Sequence, residues 1–389
     1  MIKLSDKSQC CGCTACASIC PRNAIAMVPD GMGFKYPKVD VLKCTECGLC
    51  ENVCSFNENY DKSLNLDEPI IFAARHKDIH EVETSRSGAT FIAISDYVLD
   101  NGGIVYGVGY NEHFRVAHKR ASTKEERNEF KGSKYVQSNL DGIFVQIRED
   151  LKNGNTVLFS GTPCQTAGLN SFIGKKLREN LILVDLVCHG VPSPYIWKDY
   201  IEYIENKHKS KIIKVDFRDK TRIGWAGHIE SFVMSNGEKV EYNIYADLFC
   251  NNIMLRQSCG VCHYANLNRP SDFTIADYWG WENVSDDFNS DDKGCSLLFI
   301  NSSKGQSLFQ NFADKLNLIR SDQEKCLQPN LMKPSALSLN SHDFECDYVN
   351  HGFVYILNKY GNLYSRNIIG ALLRKFNTYR ILFWSWIFK

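Results

Sequence analysis

The sequence has no net charge, because 45 lysines and arginines meet 45 aspartates and glutamates over 389 residues. Without an overall basic field, nucleic acid is not an expected partner. An apolar secretory segment is missing as well: residues 1–9 are polar and run straight into cysteines, so the chain is expected to stay in the cytoplasm. Two nucleotide-binding signatures are absent. Gly107 and Gly109 follow an apolar run, but Glu112 stands where the third glycine of the dinucleotide fingerprint belongs. No G-x-x-x-x-G-K followed by Ser or Thr occurs either, so a flavin would have to be held by some other loop. With 44% apolar and 23% charged residues, the composition excludes a disordered, collagen-like or integral membrane chain. At ~150 residues per domain the length suits two or three domains.

Cysteine is what the sequence has in excess, with 17 residues, nine of them among the first 54. In a reducing compartment such density reads as metal ligation rather than as disulfides. Cys10, Cys13, Cys16, Cys20 and Pro21 spell C-x2-C-x2-C-x3-C-P, and Cys44, Cys47, Cys50 and Cys54 repeat the spacing 34 residues on, with Ser55 in place of proline. Three thiolates at intervals of three wrap one corner of a cubane, and the fourth points to the partner cluster. The expected sets therefore interlock: Cys10, Cys13, Cys16 and Cys54 for one cluster; Cys44, Cys47, Cys50 and Cys20 for the other. Cys11 is left over. Paired C-x2-C units also suit zinc, but a tetrahedral ion has no use for a third cysteine at the same tight interval in both halves. Residues 1–58 resemble a bacterial two-cluster 4Fe-4S ferredoxin domain, which implies one-electron transfer.

A polar, acidic linker is expected over 59–69, and a second domain from residue 70 to 345. There, apolar runs at 70–75, 103–110, 156–160 and 181–188 read as strands, and 89–99, 140–152 and 195–206 carry helical periodicity. That alternation predicts an α/β domain, α+β overall with the ferredoxin-like domain included. Further strands at 212–217, 229–234 and 240–245 predict that the sheet is mixed.

Four motifs carry chemistry. Ser85-Arg86-Ser87-Gly88-Ala89-Thr90 precedes a helix, where small residues and free N–H groups make either an anion cradle or an ordinary serine-rich cap. Lys131-Gly132-Ser133-Lys134-Tyr135 has a similar composition. The candidate phosphate contacts are Ser87, Gly88, Thr90, Lys131, Ser133 and Lys134. Gly161-Thr162-Pro163-Cys164-Gln165 puts Cys164 at a helix N-terminus, and Cys188-His189-Gly190 ends the next strand. These two could be a Cys-His nucleophilic pair or two metal ligands. Cys259 and Cys262, near Arg269 and Asp277-Tyr278-Trp279-Gly280, would complete four sulfurs for a further cluster. Cys250, Cys295, Cys326 and Cys346 show no ligand spacing and read as ordinary thiols.

Taken in order, SRSGATFIA, GSKYVQS, GTPCQ, CHGVPSP, FRDK, SCGVC and SDFTIADYWG resemble the β-subunit family of coenzyme F420-reducing hydrogenases and formate dehydrogenases, from about residue 70 to 280. Ala89 stands where a second glycine is common. The resemblance implies FAD, and a third 4Fe-4S cluster on Cys164, Cys188, Cys259 and Cys262. It also implies an oxidoreductase that passes electrons between a hydride donor or acceptor and the clusters, with F420, ferredoxin or nicotinamide as redox partner. Two further readings are an electron relay for a separate catalytic subunit, and a reductase, nucleophilic enzyme or binding protein acting on surface polysaccharide. The C-terminal segment, 346–389, is expected to be a helical tail. Beyond Asp347 it has six basic residues and no acidic ones, and it ends in an aromatic run at 381–388. That run is far shorter than the ~20 residues of a span, so the tail is expected to contact a membrane surface or a partner, or to dock on its own core.

Overall fold

The computed structural model of the chain describes residues 1–56 and 65–361. Two short helices, Ala15–Ile19 and Leu49–Asn52, and an antiparallel hairpin, β1 (Ile25–Pro29) with β2 (Lys35–Val39), frame the cysteine repeat. Each helix opens on a residue of positive φ, Thr14 at 69° and Gly48 at 75°, which turns the chain sharply between consecutive cysteines.

The remaining strands are β3 (Asn65–His76), β4 (Ile104–Tyr110), β5 (Val116–Ala121), β6 (Val157–Gly161), β7 (Leu181–Leu186), β8 (Ile212–Asp216), β9 (Glu230–Met234), β10 (Lys239–Tyr242), β11 (Phe273–Asp277), β12 (Ser296–Ser302) and β13 (Leu316–Ser321). Eight of them form one mixed sheet in the order β13-β3-β12-β11-β7-β6-β4-β5. Its centre, β4, β6, β7 and β11, is parallel, and its flanks are antiparallel. The central strands are apolar throughout because both faces are covered. Val157, Phe159, Leu181 and Leu183 face helices Ile143–Lys152 and Pro163–Ile173 and the cysteine-rich domain. Leu158, Ile182 and Val184 face helix Thr90–Asp100 through Ala93, Ile94 and Val98.

Two expectations need correction. The runs at 212–217, 229–234 and 240–245 do not enter the main sheet; β8, β9 and β10 form a separate antiparallel one, and helix Ile244–Cys250 begins where the last run was to continue. The mixed character comes instead from β3, β5, β12 and β13. Residues 65–69 of the expected linker already belong to β3, where Asn65 pairs with Ser302. The helical C-terminal segment, as far as residue 360, takes one of the outcomes expected for it and docks on its own core: helices Ser341–His351 and Phe353–Tyr360 bury Phe344, Tyr348, Phe353 and Ile356 against Trp197 and Tyr200. The aromatic run at 381–388 lies outside the described residues. Among the described residues no helix is long and apolar enough to cross a membrane.

Glu230 on β9 is fully enclosed, taking the Tyr200 hydroxyl at 2.7 Å and the Ala246 N–H. Burial pushes its carboxyl up to about 8 from an ordinary 4.5. Between these values the folded chain keeps a proton that the unfolded chain has lost, so stability falls as pH rises through that window. The isosteric Glu230→Gln should remove this slope, which for one group is at most about 1.4 kcal/mol per pH unit. Denaturant melts of both chains at pH 5 and pH 8 check it.

Candidate metal centres and anion pocket

Cys10, Cys13, Cys16 and Cys54 come within electrostatic range of one another. Burial pushes the Cys10 and Cys16 thiols up, and Cys13 and Cys54 add to the effect on both. Cys20, Cys44, Cys47 and Cys50 line a different pocket, together with Met1, Pro21 and Ile25. The eight thus fall into the two fours expected from the spacing, with Cys20 and Cys54 exchanged between repeats. Backbone N–H groups aim at the sulfurs: Gly12 at Cys10 (3.4 Å), Ala24 at Cys20 (3.3 Å), Glu46 at Cys44 (3.4 Å) and Ile2 at Cys50 (3.3 Å). Such donors stabilise thiolates and tune the potential of a bound cluster. Among the described residues, no group of three or more His, Cys, Asp or Glu side chains closes around a single ion. Tetrahedral zinc, with Zn–S bonds of about 2.3 Å, holds its sulfurs about 3.8 Å apart. A cubane places irons and sulfides between its thiolates.

The third set is built by the main sheet. β6 and β7 end side by side, with Gly161 opposite Asp185. Thr162 and Gln165 form a capping box that starts helix Pro163–Ile173, placing Cys164 in its first turn. A bridge between Pro192 and Leu255 draws the turn Gln257–Val261, with Cys259, onto the loop that carries Cys188. Arg269, fully buried, binds Asp185 at 3.0 Å and the carbonyls of Tyr264 and Leu186, which fixes the segment after Cys262 to the end of β7. Cys164, Cys188, Cys259 and Cys262 come within electrostatic range of one another there. Burial and then Cys259, Cys164 and Cys262 hold the Cys188 thiol far up, and burial with Cys164 nearby takes Cys259 to about 12 and Cys262 to about 11.

Cys164 goes the other way, to about 7, because the neighbouring Cys11 thiol and then Thr162, whose hydroxyl lies 3.3 Å from its sulfur, favour the thiolate against the effect of burial. His189 turns to Asn252 at 2.6 Å and to the edge of Phe249. No hydrogen bond joins Cys164 and His189 among the described residues, which leaves the nucleophilic pair without its defining contact. Cys295 and Cys326 are buried, Cys250 and Cys346 exposed.

The loop 85–90 lies at the same carboxyl edge of the sheet, against the start of β12. Ser87 donates to the Cys295 carbonyl at 2.6 Å, and the Gly88 N–H reaches Ser296 Oγ at 2.9 Å. A Cβ on Gly88 would sit 2.3 Å from the Ala74 carbonyl oxygen, so only glycine fits. Lys131 pairs with Glu81 at 2.6 Å, Lys134 caps the Glu129 and Lys131 carbonyls, and Ser133 is exposed. Ala89 takes φ 59°, a conformation more natural to glycine, and helix Thr90–Asp100 starts there without a side-chain cap. Thr90 Oγ1 is buried without a hydrogen-bond partner, as are Ser85 Oγ, Arg86 Nε and Arg218 Nε.

Those orphaned atoms border a cluster of charged and aromatic side chains that no single motif announced. Arg218 bonds Asp277 at 2.6 Å and lies 5.3 Å over the Trp279 ring, while Trp225 stacks on Trp279 at 4.6 Å and donates to Asp277 at 3.0 Å. Arg86 reaches the Arg218 carbonyl at 3.1 Å. Burial, then Arg86, lowers Lys220 to about 8; burial, then Arg218 and Arg86, lowers His228 to about 3 and keeps it neutral. Three cations within electrostatic range of two carboxylates, Asp277 and Asp216, leave a small excess of positive charge beside two indoles, which suits an anionic, aromatic ligand. Arg86, Arg218, Lys220 and Trp279 sit in quoted motifs, but Trp225, His228 and the buried Arg256 had no sequence signal.

Residues 154–324 match the family model that describes the C terminus of the beta subunit of coenzyme F420 hydrogenase/dehydrogenase, and residues 9–57 match the 4Fe-4S dicluster domain. Among solved structures, a chain of the xenon-derivatised F420-reducing NiFe hydrogenase complex from Methanosarcina barkeri is similar over 80% of this chain and 97% of that one, at 16% identity and a TM-score of 0.46. No curated protein matches.

Proposed function

The chain is of the coenzyme F420 hydrogenase/dehydrogenase β-subunit-like family and carries an N-terminal 4Fe-4S dicluster domain, and from that premise we propose an iron-sulfur flavoprotein oxidoreductase. One observation carries this reading. Four sulfurs from separate loops and a cationic, aromatic pocket share the carboxyl edge of one sheet, where α/β folds bind ligands. FAD is the group that fits the pocket: Arg86, Arg218, Lys220 and the uncapped turn at Thr90 would hold its phosphates, with Ser87, Gly88, Lys131, Ser133 and Lys134 shaping the rim. Bound there, flavin supplies the conversion between a two-electron hydride and single electrons. The residues do the rest. Trp225 and Trp279 exclude water, Asp277 keeps Arg218 oriented, and Cys164, Cys188, Cys259 and Cys262 hold a third cluster at neighbouring strand ends.

Protein prepared anaerobically should contain about twelve iron atoms, three clusters of four, and one FAD. Reduced F420 is the first donor to try, then ferredoxin and reduced nicotinamide. Mixed with a hydride donor, the flavin absorbance should bleach before the cluster absorbance. A chain that contains no flavin and takes up none on reconstitution rules the flavoprotein reading out. Turnover that needs an added subunit would favour the runner-up, an electron relay for a catalytic partner.

A further inference from the structure

A cavity of about 370 Å³ lies where three parts of the chain meet: the hairpin of β1 and β2, the turn Gln257–Val261 that carries Cys259, and the start of helix Ser341–His351. It shares no residue with the cluster around Arg218. The volume is that of a site for a small organic molecule. Its walls are largely apolar: Met32, Phe34, Ile253 and Leu255 line it, with Val261, which is 51% exposed, beside them. Leu337 completes this side because Gly260 carries no Cβ, which would lie 2.8 Å from Leu337 Cγ.

The charged groups at these walls satisfy one another. Asp30 gives one carboxylate oxygen to the Met32 and Phe34 N–H groups, both at 3.0 Å, and the other to Lys7 at 2.8 Å. Lys7 also holds Glu345 at 2.9 Å. Arg256 lies 5.5 Å from the centre of the Phe34 ring and 4.2 Å from that of Tyr36, and it donates to the Cys10 and Lys35 carbonyls and to Gln137. His342 turns its Nε2 to Cys346 Sγ at 3.8 Å. Two cations and two carboxylates cancel, so no field of one sign draws an ion in. One polar atom is left over. The Tyr36 hydroxyl is buried and has no hydrogen-bond partner among the described residues. Burial pushes it up to about 12, so at neutral pH it keeps its proton and is a donor. A buried donor without an acceptor is costly, and a ligand oxygen would relieve it.

We propose that this cavity binds an uncharged ring compound bearing a carbonyl oxygen, with the ring against Met32, Phe34 and Leu255 and the oxygen on the Tyr36 hydroxyl. The ring suits the apolar walls, and the carbonyl supplies an acceptor without a charge that the lining would have to balance. An anion fits poorly, since it would meet Asp30 and Glu345 while their lysine is already shared between them. Ser8 and Gly260 place the site beside the loops of Cys10 and Cys259, but the binding does not depend on what those cysteines hold.

The test is isothermal titration calorimetry of the full chain, purified anaerobically, with coumarin, a neutral two-ring lactone, as the probe and coumarin-3-carboxylate as its charged counterpart. Coumarin should bind at one site per chain, and the carboxylate far more weakly. Tyr36→Phe, which keeps the ring and removes the donor, should weaken coumarin binding about tenfold, the size of one hydrogen bond. Ser341→Trp, which brings an indole to the cavity from the first turn of its helix, should abolish binding while iron content and melting temperature stay those of wild type. No coumarin binding up to its solubility limit would overturn the inference. Equal affinity in wild type and both variants, or a preference for the carboxylate, would overturn it too, by placing the probe elsewhere, as at the cations around Arg218. The heats do not depend on iron or flavin, so failure here and failure of the proposed oxidoreductase are separate results.

Discussion

Replacing Cys164 by alanine should cut the iron content from about twelve atoms to about eight and leave the two ferredoxin clusters spectroscopically intact. Electron delivery from a hydride donor to those clusters should then be lost almost completely, although flavin stays bound. The fold should survive the change. Pro163 and the Thr162–Gln165 capping box start the helix without help from the cysteine, and the helix is anchored by Ala167, Leu169 and Phe172 in the core. What alanine removes is the corner of the third set that faces the dicluster domain, since Cys164 packs against the hydrophobic cluster that contains Cys11 and Cys13. Iron and flavin assays, with electron paramagnetic resonance after donor addition, check the result. If the chain kept its full iron but lost activity, Cys164 would be a nucleophile, and the pairing with His189 would have to be sought in a rearranged site.

The parts of this site that were legible in sequence are those whose geometry is local. Cys10, Cys13 and Cys16 lie within seven residues, so spacing alone dictates that their sulfurs surround a common point, and the repeat supplies the exchange of Cys20 and Cys54. The third set is different in kind. Cys164 and Cys188 meet because β6 and β7 are neighbours, and Cys259 joins them because Leu255 pairs with Pro192. No spacing encodes either fact, and only the ordered run of motifs pointed to it. Likewise Arg86, Arg218, Trp225 and Asp277 come from four separate segments.

Strand identity was legible where strand membership was not. Ile212–Asp216, Glu230–Met234 and Lys239–Tyr242 are strands, as read, but an apolar strand run records that a face is buried and not which sheet the strand joins. Their inward residues, Ile212, Phe232, Met234 and Val240, pack on Trp197 and Tyr245 instead of on the central strands. The C-terminal helices show the same limit. The basic charge beyond Asp347 left a surface contact and docking on the core both open, and it is packing that decides for residues 346–360: Lys359 neutralises Asp347 across the turn at 2.6 Å while Phe353 and Ile356 enter the core.

Arg256 had no motif around it, and its replacement by methionine should be the most disruptive single change in the seam between the cysteine-rich domain and the rest. The guanidinium is completely buried and makes three bonds, to the Cys10 carbonyl at 2.7 Å, the Lys35 carbonyl at 2.9 Å and Gln137 Oε1 at 2.9 Å. It also stacks 4.2 Å over the Tyr36 ring. Two of these bonds run to the backbone of the cysteine-rich domain, one in the loop of the first cysteine set and one at the start of β2, so one side chain fixes both position and tilt. Methionine keeps the apolar stem and leaves three acceptors without donors, at a cost of about 3–5 kcal/mol. The charge matters as well. The guanidinium favours the thiolate forms of Cys10, Cys13, Cys164 and Cys259, and its loss should lower the potentials of the first and third clusters together. Arg256→Lys, with one donor head in place of the fork, should recover the potentials better than the stability, because the charge returns but the second carbonyl contact does not. Denaturation monitored by cluster absorbance, with redox titration of both variants, separates the two effects. Wild-type stability in Arg256→Met would mean that Gln137 and the glycine contacts hold the seam without it.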